Sequence, residues 1–157
     1  MSTIETSFTL ETTPVFSLGD VLPLRLPVGT PGPDGRPVLR PAVVASVGDC
    51  LGETTYELVP AAVGNDLPAH GTDITARMCG ADGAQTALRF APNLSLKVCA
   101  SPPVLADTRR RSGRLPAQAH AALVADNARR SASRAAHLAA RRARAAARHA
   151  GRKKSRR

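Results

Sequence analysis

The fold of this chain turns on two apolar segments and the loop between them: Gly19-Asp20-Val21-Leu22-Pro23-Leu24-Arg25-Leu26-Pro27, then Val28-Gly29-Thr30-Pro31-Gly32-Pro33-Asp34-Gly35-Arg36-Pro37, then Arg40-Pro41-Ala42-Val43-Val44-Ala45-Ser46. In the first, Val21, Leu22, Leu24 and Leu26 are apolar while Pro23 and Arg25 interrupt. That approximate period of two predicts a half-buried strand with an edge or bend at the proline. Val38 to Val47 is more continuously apolar, interrupted by Arg40 and Pro41, and reads as the central strand. The loop is too rich in glycine and proline for regular structure, since these supply turn dihedrals and remove backbone donors. It predicts a long, exposed hairpin connection.

Working outward, Ser7 to Leu10, Val15 to Leu26, Tyr56 to Val63, Thr72 to Met78, Thr86 to Phe90 and Leu94 to Cys99 are further segments of strand length. Short strands at roughly 8 to 12 residue spacing point to a small sandwich or barrel. The expectation is a mainly β protein, with an N-terminal extension over 1–14 and a compact SH3-like β-barrel over 15–101. Gly64 to Gly71 forms a second loop between strands.

After Pro102-Pro103 the composition changes, giving a linker over 102–116 and a basic arm over 117–157. Residues 1–105 hold six Lys/Arg and ten Asp/Glu, and residues 106–157 hold sixteen and two, so the net +10 of the chain is −4 in the body and +14 beyond it. Such a split predicts a polyanionic partner for the arm, nucleic acid first, and no membrane is expected because the apolar side of the arm lacks Leu, Phe or Trp. Pro116 suits a first helical turn, Gly151 a helix end, and the intervening residues contain neither Pro nor Gly, while alanine is the best helix former. A long helix is expected, and a disordered low-complexity tail fits the same composition.

With Arg129 as origin and 100° per residue, Arg144, Arg130, Arg148, Arg141, Arg134 and Arg152 fall at about 60° to 140°, joined by His137 at about 80°. The alanines gather on the opposite side, at about 240° to 340°, and Arg142 at about 220° departs from the sorting. Arginine's planar fork donates to two phosphate oxygens at once, so the stripe Arg130, Arg134, Arg141, Arg144, Arg148 and Arg152 is expected to hold a phosphate backbone. Without an aromatic to stack on bases, or an Asn or Gln in the stripe to read their edges, recognition would be blind to sequence. The alanine side is expected to form a weak dimer seam or to dock loosely on the barrel.

Cys50, Cys79 and Cys99 are odd in number and widely spaced, with no CxxC pair or Cys/His cluster, which argues against a disulfide framework and a metal site. The N-terminus has acids but no basic n-region, and there is no apolar run of ~18 residues, so a cytoplasmic protein is expected. Walker, GxGxxG, HExxH and GxSxG motifs are lacking, and no cofactor is expected. Asp20, Asp34 and Asp49 adjoin glycines in apparent turns, where Asp bonds its own backbone.

The Gly19-Asp20 strand, the long loop, Arg40-Pro41 and the apolar strand ending at Ser46 resemble the start of the PemK/MazF-like growth-inhibitor family, closely over residues 15–60 and more loosely to about 100. That resemblance implies an SH3-like barrel toxin of a toxin-antitoxin pair, a barrel homodimer, and an antitoxin chain as partner. It also implies metal-independent cleavage of single-stranded RNA by a ribose 2'-hydroxyl. Arg40 matches the family's arginine and would stabilise the phosphorane charge, with His70 as a candidate acid/base. Where the family presents Thr or Ser after its third strand, this chain reads Val59-Pro60-Ala61-Ala62-Val63, leaving Thr54, Thr55 or Thr72 to substitute. The expected function is thus an endoribonuclease or a catalytically degenerate relative. The alternative is a non-catalytic nucleic-acid-binding accessory protein that uses the basic arm.

Overall fold

Two neighbouring strands carry most of the architecture. β1 (Asp20–Arg25) pairs antiparallel with β2 (Leu39–Cys50) in the register Val21↔Val43 to Arg25↔Leu39, which sets Pro23 opposite Pro41. The computed structural model describes residues 16–79, 83–99 and 113–154. The expected strand at Ser7 to Leu10, the N-terminal extension and most of the linker lie outside the described residues, as do the side chains beyond Arg148.

β2 returns into β3 (Glu53–Pro60) through Leu51 and Gly52, at φ 55° and 82°. Two successive positive φ values give the twist that a two-residue hairpin needs. The Asp49 carboxylate accepts from the Gly52 N–H at 3.1 Å and braces the turn. A bulge between Val44 and Ser46 shifts the β2–β3 register. β6 (Leu96–Cys99) lies beyond β3, and β7 (Gly113–Arg114) lies beyond β1, giving the order β6–β3–β2–β1–β7. β4 (Ile74–Cys79) and β5 (Gln85–Phe90) form a separate two-stranded sheet.

The fold is mainly β with a C-terminal helix, α1 (Ala117–Lys154). The sheets are not closed into the expected barrel. Among the described residues, one isolated bridge, Ala61↔Phe90, joins them. The outer strands of the larger sheet have only four and two residues, so they reach no common seam. Closure needs matched strand length and stagger around the whole ring.

Both faces of the larger sheet are apolar. One cluster joins Phe16, Leu22, Leu24, Leu26, Ala42, Val44, Tyr56 and Leu58. The other brings Val43, Ala45 and Val59 together with Ile74, Ala76 and Phe90 of the smaller sheet and with Leu115, Ala119 and Leu123 of the C-terminal segment. The boundary expected at residue 117 thus falls inside one packed core. Gly19 marks the junction, its carbonyl accepting from the Leu115 N–H at 2.8 Å. A Cβ there would stand 2.7 Å from Cδ2 of His120, and φ is +84°, so the residue must be glycine.

Candidate nucleic-acid interface

Each sequence-derived candidate except Arg152, whose side chain lies outside the described residues, has a definite place. Arg40, second residue of β2, is fully buried. Its Nη2 lies 2.6 Å from Oδ2 of Asp66 and donates to the Val28 carbonyl at 2.9 Å, and its Nη1 donates to the Ala61 carbonyl at 3.3 Å. The guanidinium therefore fastens the long hairpin loop and the loop after β3 to the sheet. No surface of it faces solvent.

His70 is exposed, its Nδ1 2.8 Å from Thr72 Oγ1 and its backbone N–H donating to Asp73 Oδ2 at 2.9 Å. Asp73 pairs with Arg89 at 2.6 Å, and Arg89 also donates to the carbonyls of Leu67 and Pro68. Two arginines thus hold the 61–73 loop, Arg40 through Asp66 and Arg89 through Asp73. No hydrogen bond or ion pair among the described residues joins Arg40 to His70. Thr54 and Thr55 pair with Asp49 and Gly48 near the β2–β3 turn, at the opposite end of β2 from Arg40. Of the residues expected to serve RNA cleavage, His70 and Thr72 are in contact, and Thr54 and Thr55 stand apart from Arg40 along β2.

α1 crosses the larger sheet and then leaves it. Ala119 and Leu123 pack in the core, Asn127 Nδ2 donates to the Ala45 carbonyl at 3.4 Å, and Asp126 is buried. Arg130 Nη1 donates to Glu57 Oε1 and to Ser95 Oγ, both at 2.8 Å, while its Nε donates to Asp126 Oδ2 at 2.8 Å. The Ser95 and Ser46 hydroxyls also donate to Glu57, at 2.8 and 3.2 Å. This is a correction to the phosphate-binding stripe: Arg130 spends its charge inside the protein and bolts α1 to β3.

Glu57 is nearly enclosed by this bolt. Burial pushes its pKa up, but the Ser95 hydrogen bond, the Arg130 charge and hydrogen bond, and the Ser46 hydrogen bond together outweigh it. The carboxyl is held below the usual value and stays ionised.

From Ser131 to Arg148 every helical residue is exposed. Arg134, Arg141, Arg144 and Arg148 stand on this overhang; Arg152 belongs to the helical backbone only as far as it is described. On the same angular scale, the docked residues Asp126, Ala119, Arg130 and Leu123 fall at about 60°, 80°, 100° and 120°. They share the angular sector of the arginine stripe. The helix therefore docks through the line that carries the arginines, not through the alanine side as expected, because Ala119, Leu123 and Asp126 occupy that line over the sheet. Past the sheet the same line becomes Arg134, His137, Arg141, Arg144 and Arg148.

Sequence reasoning missed Glu57, Ser95 and Asp126. The Asp126/Arg130 spacing of four was visible and is the favourable orientation for a helical pair. Nothing local marks Glu57 or Ser95 as its neighbours. A groove of about 550 Å³ between β4 and the start of α1 is lined by Asp73, Ile74, Arg77, Pro116 and Ala122 among others, with Asp73 already paired to Arg89. Comparison with protein-family models, with curated proteins and with solved structures gives no match.

Proposed function

We propose that the protein binds nucleic acid without cleaving it, gripping the phosphate backbone with the overhanging half of α1. The observation that carries this reading is the exposed run of Arg134, Arg141, Arg144 and Arg148 on one side of a helix whose other half is anchored in the core. An anchored helix presents its guanidinium groups already ordered, so less freedom is lost when they meet phosphates. Double-stranded nucleic acid suits the surface better than single strands. Phe16, Tyr56 and Phe90, the aromatics among the described residues, are at most 6% exposed, so they offer no platform for unstacked bases.

The test is binding of a DNA duplex by the full chain and by a chain truncated after Arg130, across a salt series. Truncation is expected to abolish binding near physiological salt and to flatten the log-log salt dependence, each lost phosphate contact removing about 0.9 from the slope. An unchanged slope would refute the reading.

The growth-inhibitor endoribonuclease implied by resemblance, with its homodimer and antitoxin partner, is the second reading. It is favoured by the antiparallel β1–β2–β3 order with Arg40-Pro41 near the start of β2. For Arg40 to act on a phosphate it would have to leave Asp66 and two carbonyls. Incubation with single-stranded RNA in EDTA, wild type beside Arg40→Ala, decides between the two: no cleavage by either supports binding alone.

A further inference from the structure

The direction in which the stripe points has a consequence for the body. β6 is the last strand of the larger sheet on the side where α1 departs, because Arg130 reaches Ser95, the residue just before β6. In the β3–β6 ladder Lys97 is the direct partner of Glu57, and Val98 that of Tyr56. Direct antiparallel partners project to the same face of a sheet. Glu57 faces α1, since it binds Arg130, so Lys97 also lies on the α1 face; Leu96 and Val98 confirm the alternation by packing on the opposite cluster. Lys97 is exposed and makes no hydrogen bond or ion pair among the described residues.

We infer that Lys97 and the arginine line of the overhang form the two walls of one corner, in which a duplex is held by its phosphates along the β6 edge. This rests on the nucleic-acid reading above and deepens it by placing the ligand on one side of the arm. The overhang supplies about 36 Å of helix over 24 residues, longer than one turn's reach across a groove. Its arginine line continues the docked line of Ala119, Leu123 and Arg130, so it faces the side on which the sheet lies. The Glu57–Arg130–Ser95 bolt fixes that rotation and makes Arg130 a positioning residue rather than a phosphate ligand. By the same alternation Glu53, four residues before Glu57 in β3, also lies on the α1 face, toward the β2–β3 turn.

The experiment rotates the arm without changing its charge. Two alanines inserted after Ala132 turn everything beyond by about 200°, whereas four turn it by about 40°. Both insertions lie in the exposed helix, and a thermal melt matching wild type verifies that the body is intact. Binding of a fluorescent 20-base-pair DNA duplex is measured for the full chain, Lys97→Ala, the two insertions, and the two-alanine insertion combined with Lys97→Ala. Lys97→Ala is expected to weaken binding about five- to tenfold at 0.1 M salt and to lower the salt slope by about 0.9. The two-alanine insertion is expected to weaken binding by at least as much and to make Lys97→Ala silent, while the four-alanine insertion stays near wild type. If Lys97→Ala and both insertions bind like wild type while truncation after Arg130 abolishes binding, the corner is overturned and the arm reading stands. If truncation itself leaves binding unchanged, both fall.

Discussion

The two halves of α1 share one helical line and differ in what lies beneath it. Over the sheet, the line reads Ala119, Leu123, Asp126 and Arg130, small or apolar groups followed by an acid and the base that it holds. Beyond the sheet it reads Arg134, His137, Arg141, Arg144 and Arg148, all exposed. A helix needs tertiary packing of one face for most of its stability in water, and here the docked half supplies it. The overhang adds charge and helix propensity but no core. One half of α1 is thus a structural element of the β body and the other an appendage that the first half aims.

The largest effect that would break this contrast is in the core. Leu123→Ala is expected to cost about 2–5 kcal/mol, because Leu123 is fully enclosed among Val43, Val59, Phe90 and their neighbours and its loss leaves a cavity. Chemical denaturation measures it, and a cost below about 1 kcal/mol would mean that the docked half is no more part of the core than the overhang. Next, Arg130→Ala is expected to cost about 2–3 kcal/mol, less than breaking a fully enclosed pair because Arg130 keeps 24% of its side chain exposed. What it leaves behind is Glu57, buried without its cation.

Glu57 then sharpens the comparison through pH. Its pKa is lowered in the folded protein, so its contribution is present above the ordinary carboxylate value and is lost as pH falls through the lowered one. Glu57→Gln is expected to flatten stability against pH within that acid window, and to change little at neutral pH beyond the lost ion pair. Acid unfolding curves of the two proteins decide this, and superimposable shapes would count against it. Smallest of all, replacing Arg134, Arg141, Arg144 and Arg148 together by alanine is expected to move stability by no more than about 0.5 kcal/mol, as surface changes do, while stripping duplex binding. A substantial loss of stability would show that the overhang packs on something after all.

The helix, the long Gly/Pro loop and the β segments were legible in the sequence because each is set locally: alanine propensity, turn residues, apolar runs. Gly151 was expected to end the helix, yet α1 continues to Lys154. β3 begins at Glu53 rather than Tyr56, since the Leu51-Gly52 turn carries no Asn-Gly signature. The open sheet follows from strand lengths and long-range pairing, including a two-residue β7 that no pattern would announce. The candidate site divides in the same way. Angular sorting found the arginine stripe, but which side of the helix meets the body depends on Ala119 and Leu123 finding Val59 and Ile74 far away in sequence. Arg40 and Arg130 look from the sequence like the other arginines of the chain. Only their neighbours, Asp66 in one case and Glu57 in the other, turn them inward.

The arginine pair around the 61–73 loop bears on what kind of change this protein can absorb. Arg40 and Arg89 grip carbonyl groups and two aspartates, Asp66 and Asp73, while Val63, Asn65, Ala69 and His70 face solvent. A backbone carbonyl is supplied by any residue. Val63, Asn65 and Ala69 are therefore open to substitution in a way that the two aspartates, and His70 with its ring on Thr72, are not, and the loop forms a ready-made frame on which a library of surface sequences can be displayed without disturbing the body that carries it.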